Sequence, residues 1–460
     1  MDDSTYRSLS LWHDTVGGPL TPRPPLGGDT DADVVIVGAG YTGLWTAYYL
    51  TELDPTIRIV VVEKEIAGFG ASGRNGGWAS ALFPTPWQRI ARDSTRDQAI
   101  ALQHALNDSI DELGRVTAAE GIDCHYAKGG YVSAARNQAQ WVRAQREVEH
   151  ARAWGFGDDF LALLGPDEIG EHLRAEGAVG GTYTPWCAAL HPARLVRGLA
   201  DVVERRGVRI CEGTTASGVA PGVVTTSHGS VRADVVLMAT EGYTPDLEGH
   251  HRDVVPMYSL MVATEPLDDV TWKSIGLERR ETFADKRHLR IYGQRTADGR
   301  IAFGGRGAPY HFGSRIAPEF DHDDGVHEML RRILGELFPA ARDAAFTHAW
   351  GGNLGIPRDW YPSVGFDRLS GVAWAGGYVG DGVATANLAG RTLAELVTAT
   401  DSPRVGLPWV GRRSRRWEPE PARWIGANAV TALMALGDRS EARTGRPSRS
   451  VAAFWRTLGF

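Results

Sequence analysis

Asp33-Val34-Val35-Ile36-Val37-Gly38-Ala39-Gly40-Tyr41-Thr42-Gly43 is the segment of this chain whose residue types and spacing speak most directly to chemistry. An apolar run enters a GxGxxG turn, a helix is predicted over residues 44–50, and a second apolar run over residues 58–62 ends at Glu63. Together these parts make a dinucleotide-binding unit. Gly38 allows the tight turn, Gly40 lets the backbone approach a pyrophosphate, and Gly43 lets the helix pack closely on the strand. The helix N-terminus, with Tyr41 and Thr42 in its first turn, offers unpaired N–H groups and a positive dipole end to phosphate. Glu63 supplies an acceptor for ribose hydroxyls, and Lys64 follows it.

Two further glycine clusters carry the same logic. Residues 68–77 contain Ser72, Arg74, Asn75, Gly76 and Gly77, and so many glycines exclude a packed helix while leaving backbone N–H groups free to turn toward a ligand. A mobile surface loop is the alternative reading. Gly377, Tyr378, Gly380, Asp381 and Gly382 lead into a predicted helix that starts with Val383 and Ala384, again placing N–H groups at a helix start. An ordinary strand-to-helix turn would have the same composition.

The elements that hold these clusters are distributed along the whole chain. Residues 1–30 are rich in Gly and Pro and are predicted to wrap the surface. Helical periodicity covers residues 87–120 and 137–154, with a strand predicted between them over residues 124–134. A helix over residues 191–203 is followed by strands at 208–210, 222–226 and 231–240. Strands are expected at 253–264, 281–292 and 300–304, a helix at 324–338, extended chain at 347–365, and a helix at 383–397. Nucleotide-type elements therefore recur three times, so that part of the fold is discontinuous.

Composition narrows the function classes. Lys and Arg number 49 against 56 Asp and Glu, a net charge of −7, which argues against nucleic acid as a partner. The three cysteines form no CxxC pair, the N-terminus lacks an apolar core segment, and no window approaches the about 20 apolar residues that span a bilayer. A soluble, cytoplasmic protein is expected.

The clusters occur in one order with Leu190-His191-Pro192-Ala193, Ala239-Thr240-Glu241-Gly242-Tyr243, Gly304-Gly305-Arg306-Gly307 and Arg358-Asp359-Trp360-Tyr361-Pro362-Ser363-Val364-Gly365. The set resembles the D-amino-acid-oxidase family of FAD-dependent oxidoreductases, and within it the bacterial amine-oxidising branch that includes gamma-glutamylputrescine oxidoreductase. The resemblance implies an α/β fold, α+β overall, with a discontinuous Rossmann-like FAD-binding domain and a β-rich substrate domain carrying helical inserts. The expected boundaries are 1–84, 185–245 and 345–410 for the first, 85–184 and 246–344 for the second, and 411–460 for a basic, helical tail. It also implies FAD with its diphosphate at Gly38 to Gly43, its ribose at Glu63 and its ring between residues 72–77 and 377–384. By the same analogy Ala216 lies near adenine, and Ala239 and Thr240 near the diphosphate. With neither Cys nor His in residues 72–77, FAD is expected to be held non-covalently.

The reaction implied is hydride transfer from the carbon beside an amine nitrogen to flavin N5, giving an imine that water hydrolyses. No catalytic residue of the chain itself is assigned. The candidates for the substrate side are Tyr258, His288, Arg290, Tyr292, Trp350 and Leu354; alternation would put His288, Arg290 and Tyr292 on one face of a strand. Amino-acid-oxidising members hold the substrate carboxylate with an arginine where this chain has Leu354, which favours an amine without an α-carboxylate. A D-amino-acid or imino-acid dehydrogenase or oxidase, and a flavin-binding protein without turnover, remain as alternatives. The electron acceptor is dioxygen or a carrier. No metal is expected, because Asp323 or Asp324 reads as a helix cap beside His322 and His327. The tail, with Arg412, Arg413, Arg415 and Arg416 before an apolar segment at 424–436, either packs back on the protein or touches a membrane surface.

Overall fold

Two eight-stranded sheets divide the chain. The computed structural model describes residues 1–457, so the last three residues of the expected tail lie outside it. The first sheet runs Ser363–Asp367, Val372–Gly376, Gly229–Met238, Thr30–Val37, Ile59–Val62, Arg209–Cys211, parallel except for its first strand. Thr30–Val37 reads as an unbroken apolar run because both of its faces are covered, as parallel sheets require. Val34 and Ile36 join a core built with helices Tyr41–Leu53, Pro192–Arg205 and Gly382–Val397, while Val35 and Val37 pack under the hairpin of Ala216–Ala220 and Val223–Thr226.

The second sheet has the order Phe346–Pro357, Val254–Thr264, Ile301–Gly305, Ile291–Arg295, Thr282–Asp285, Tyr131–Ala135, Gly180–Thr184, Ala162–Leu164. Phe346–Pro357, grouped by the sequence reading with the nucleotide part, pairs along its length with Val254–Thr264 and so belongs to this sheet. Its apolar alternation looks the same in either setting, and only the partner strand decides. The strand expected over residues 281–292 is two strands, Thr282–Asp285 and Ile291–Arg295. The strand expected over residues 124–134 begins only at Tyr131.

Residues 1–30 are no surface wrap. They form helices Asp3–Arg7 and Leu11–Asp14 and bury Tyr6, Leu11, Trp12, Leu20 and Leu26. The tail forms helices Ala422–Thr444 and Arg449–Thr457, with Met434 and Val451 buried and Trp424, Ile425 and Leu436 exposed. No helix among the described residues is long and apolar enough to cross a membrane.

Candidate active site

The nucleotide end of the site follows from strand Thr30–Val37 delivering Gly38, at φ +107°, to the sheet edge. Helix Tyr41–Leu53 starts at Gly40 with no side-chain cap, so its first N–H groups keep capacity for an anion. A Cβ on Gly43 would collide with the Gly38 carbonyl oxygen, so the helix can sit this close to the turn only with glycine there. Glu63 accepts hydrogen bonds from the N–H groups of Ala39 (2.9 Å) and Glu65 (3.0 Å). Burial raises its carboxyl to about 7 against those two donors. Lys64 is exposed, with its charge acting on Asp246. Ala216 opens the strand at the sheet's edge, and the Ala239 carbonyl oxygen lies 2.6 Å from where a Gly38 Cβ would be. The Thr240 hydroxyl pairs with that of Thr244 at 2.9 Å.

The glycine cluster beyond Glu63 corrects the sequence reading, since Ala71–Arg74 closes a single helical turn. The Ser72 hydroxyl accepts from the Tyr41 N–H at 2.9 Å, which ties this turn to the first helix. Arg74 is buried, donates to the Phe69 carbonyl, and pairs with Asp321 at 2.6 Å, so its charge is spent holding the second sheet's side of the molecule. Asn75 donates to the Ala71 and Ser72 carbonyls and accepts from the Gly77 N–H. Behind the turn, Trp12 donates to the Asn75 carbonyl (2.8 Å) and Trp350 to the Arg74 carbonyl (2.9 Å), the two indoles meeting edge to face. Trp350 therefore supports the loop.

Glu241 was missed as a candidate, although its motif was quoted. At the end of strand Gly229–Met238 it accepts from the N–H groups of Gly355 (2.5 Å) and Tyr378 (3.1 Å), joining both sheets to the turn at 376–381. Burial raises its carboxyl to about 7. The Tyr378 hydroxyl pairs with Thr42 at 2.9 Å, and Gly377 stands at φ +74°. Asp381 precedes helix Gly382–Val397 without capping it, and burial lifts its carboxyl to about 6 against the pull of Arg290 and Arg306. Gly380 lies beside Leu354, and Val383 and Ala384 are buried in the helix's first turn.

One face of the second sheet closes the space. Tyr292 lies across Gly76, where a Cβ would come within 2.7 Å of its ring, and its hydroxyl meets that of Ser259 at 2.8 Å. Two residues on, Gln294 donates to the carbonyls of Gly76 (2.8 Å), Gly77 (3.1 Å) and Leu190 (3.1 Å). Strand register puts Leu354 opposite Met257, on the same face as Ser259 and Trp350. Tyr258 is one residue out of phase and packs instead against Phe320 and His311 on the far side. His288 also leaves the site: it precedes the strand and binds Glu441 at 2.8 Å.

Asp438 accepts from the His288 (2.7 Å) and Leu289 (2.9 Å) N–H groups, while Glu441 accepts from Arg143, His288 and the Ser448 N–H. These contacts dock the tail helix and fill the oxygens of a His288, Asp438 and Glu441 cluster that otherwise has the composition of a metal site. Asp323 caps helix Asp324–Leu337 through the Val326 N–H.

Three helices, Tyr41–Leu53, Ala71–Arg74 and Gly382–Val397, thus begin at this space without side-chain caps, and Gln294 Oε1 and Asn353 Oδ1 are buried acceptors with no partner among the described residues. Uncapped N–H groups, spare acceptors and Glu63 fit a dinucleotide whose ring also needs hydrogen-bond partners.

The chain is similar to the probable oxidoreductase OrdL of Rhizobium meliloti, 31% identical over 393 residues that cover 82% of this chain and 85% of the relative. It is similar also to gamma-glutamylputrescine oxidoreductase of Escherichia coli, 29% identical over 82% of this chain and 86% of that one. Among solved structures, glycine oxidase from Bacillus cereus superposes with a TM-score of 0.67 at 20% identity, covering 84% of this chain and 100% of that one, which shows the shared fold. The family model described as FAD dependent oxidoreductase, DAO, matches residues 33–396, and the chain belongs to that FAD-dependent family.

Proposed function

We propose that this protein oxidises the carbon–nitrogen bond of a small primary or secondary amine, giving an imine that hydrolyses to an aldehyde and an amine or ammonia. The carrying observation is the wall formed by Tyr292, Gln294, Gly76 and the turn at 376–381, which encloses a site without a nucleophile–base pair. Such a wall orients and desolvates; it does not supply covalent chemistry. FAD, when bound, supplies the hydride acceptor, flavin N5. Glu63 and the uncapped start of helix Tyr41–Leu53 would hold its ribose and diphosphate, and the Ala71–Gly77 segment with the turn at 376–381 would hold its ring.

The chain's own task is then to exclude water and to bind the amine neutral. Tyr292 and Ser259 share one hydrogen bond and offer a second acceptor position to an N–H, and burial raises the Tyr292 phenol so that it stays protonated. The names of the relatives, an amine-derivative oxidoreductase and an amino-acid oxidase, support the same bond as the point of attack. Incubating the FAD-loaded protein with an amine panel in air should release aldehyde or ketone and ammonia or amine in equal amounts; carbonyl release from none of the amines overturns the proposal.

A further inference from the structure

Ile291 pairs with Gly305 and Tyr292 with Gly304 in an antiparallel ladder. The Arg306 N–H donates to the Arg290 carbonyl at 3.0 Å, which extends that ladder by one pair and sets Arg290 directly opposite Arg306. Residues directly opposite share a face, and residues two apart on one strand share it too. Both guanidinium stems therefore leave the sheet on the side of Tyr292, the side laid against Gly76.

Two like charges directly opposite one another destabilise a sheet unless an anion answers them. No ion pair engages either side chain among the described residues. Arg290 is exposed and its side chain makes no hydrogen bond there, while Arg306 gives one, to the Val379 carbonyl at 2.6 Å, and lies over the Trp360 ring at 5.5 Å. Asp381 feels both charges without reaching either in an ion pair.

The pair also stands where the site otherwise lacks charge. A Cβ on Gly380 would lie 3.4 Å from Arg306 Nη2 and 3.5 Å from Leu354 Cδ1. Glycine at this turn thus lets the guanidinium sit beside the apolar residue that cannot bind a carboxylate. The expectation that Leu354 leaves the site unable to hold an acid is corrected by a cation arriving from a different strand.

We propose that Arg290 and Arg306 form a carboxylate-binding pair, and hence that the amine substrate carries a carboxylate. This rests on the amine-oxidising reading above for its chemistry, and on strand register for its geometry. Planar guanidinium forks match a carboxylate's two oxygens, and Lys does not reproduce that fit. The acid is either on the reacting carbon or several carbons away.

The test uses the FAD-loaded protein with two matched pairs, D-alanine against ethylamine and 6-aminohexanoate against hexylamine. Anaerobic flavin reduction is followed for each, and separately the thermal unfolding midpoint and flavin spectrum are titrated with hexanoate and propionate. At least one acid-bearing amine should be favoured over its neutral match, and Arg290→Gln and Arg306→Lys should each cut that preference by about 10- to 100-fold. The pair with the larger preference locates the acid. Carboxylate titrations should shift the wild type's midpoint or spectrum and leave Arg290→Gln unmoved. Equal use of acid and neutral amines, or a preference that survives both substitutions, overturns the pair while leaving amine oxidation standing. If no amine reduces the flavin yet carboxylates bind in an Arg290-dependent way, amine oxidation fails and the pair stands.

Discussion

Replacing Gln294 by Leu isolates the contact that holds the glycine turn against the second sheet. The Gln294 amide group is fully buried and its two hydrogens serve three carbonyls, those of Gly76, Gly77 and Leu190, at 2.8 to 3.1 Å. Leu has nearly the same volume, so little cavity or overpacking is added. What changes is that buried carbonyls lose their donors, at about 1–3 kcal/mol for each one left unsatisfied. Because two hydrogens were shared among three acceptors, a loss of about 2–4 kcal/mol is expected. Flavin content should fall with it, since Gly76 and Gly77 lose their anchor. The assay is urea unfolding followed by flavin fluorescence on release, together with the ratio of flavin to protein absorbance after purification. Gln294→Glu, which keeps the length but cannot donate, should behave at least as badly. A Leu variant within about 0.5 kcal/mol of wild type and fully loaded with flavin would refute this reasoning.

Three further outcomes follow from other parts of the site. Arg74→Met leaves the mostly buried Asp321 unpaired and should cost about 3–5 kcal/mol, much of it regained in the Arg74→Met, Asp321→Asn double variant; unfolding midpoints of the four proteins check this. Glu441 is held down to about 2 from 4.5, by hydrogen bonds from His288, the Ser448 N–H and Arg143 that outweigh its burial. A depressed carboxyl stabilises fully above pH 4.5 and ceases to as pH falls toward 2, so proteolysis within helix Ala422–Thr444 should rise across that interval and Glu441→Gln should flatten the dependence. Heating or acid precipitation should release yellow flavin into the supernatant, as non-covalent binding requires; colour left in the pellet contradicts it.

The nucleotide turn was legible because its determinants are local: strand, glycines, helix and Glu63 lie within 31 residues of one another. The rest depended on partners far away in sequence. Residues 286–290 have the composition of a strand continuation, yet Asp438 takes the His288 and Leu289 N–H groups that a ladder would have used, and the strand breaks. That break removes His288 from the site. Tyr258 and Ser259 differ by one step of register, which alternation alone does not fix, and the site face took the serine. Arg290 faces Arg306 because a hairpin aligns them, and neither residue announces the other. Trp12, ten residues from an unremarkable N-terminus, is seen to support Asn75 only once the chain has folded back.

The most direct test of amine oxidation is anaerobic titration of the FAD-loaded protein with amines, followed through the oxidised flavin absorbance. The account predicts that an amine bleaches that absorbance to completion, with one carbonyl product per flavin, and that admitting dioxygen or an artificial carrier restores the colour. A flavin that stays oxidised through the whole amine and amino-acid panel, yet is bleached by dithionite, would contradict it.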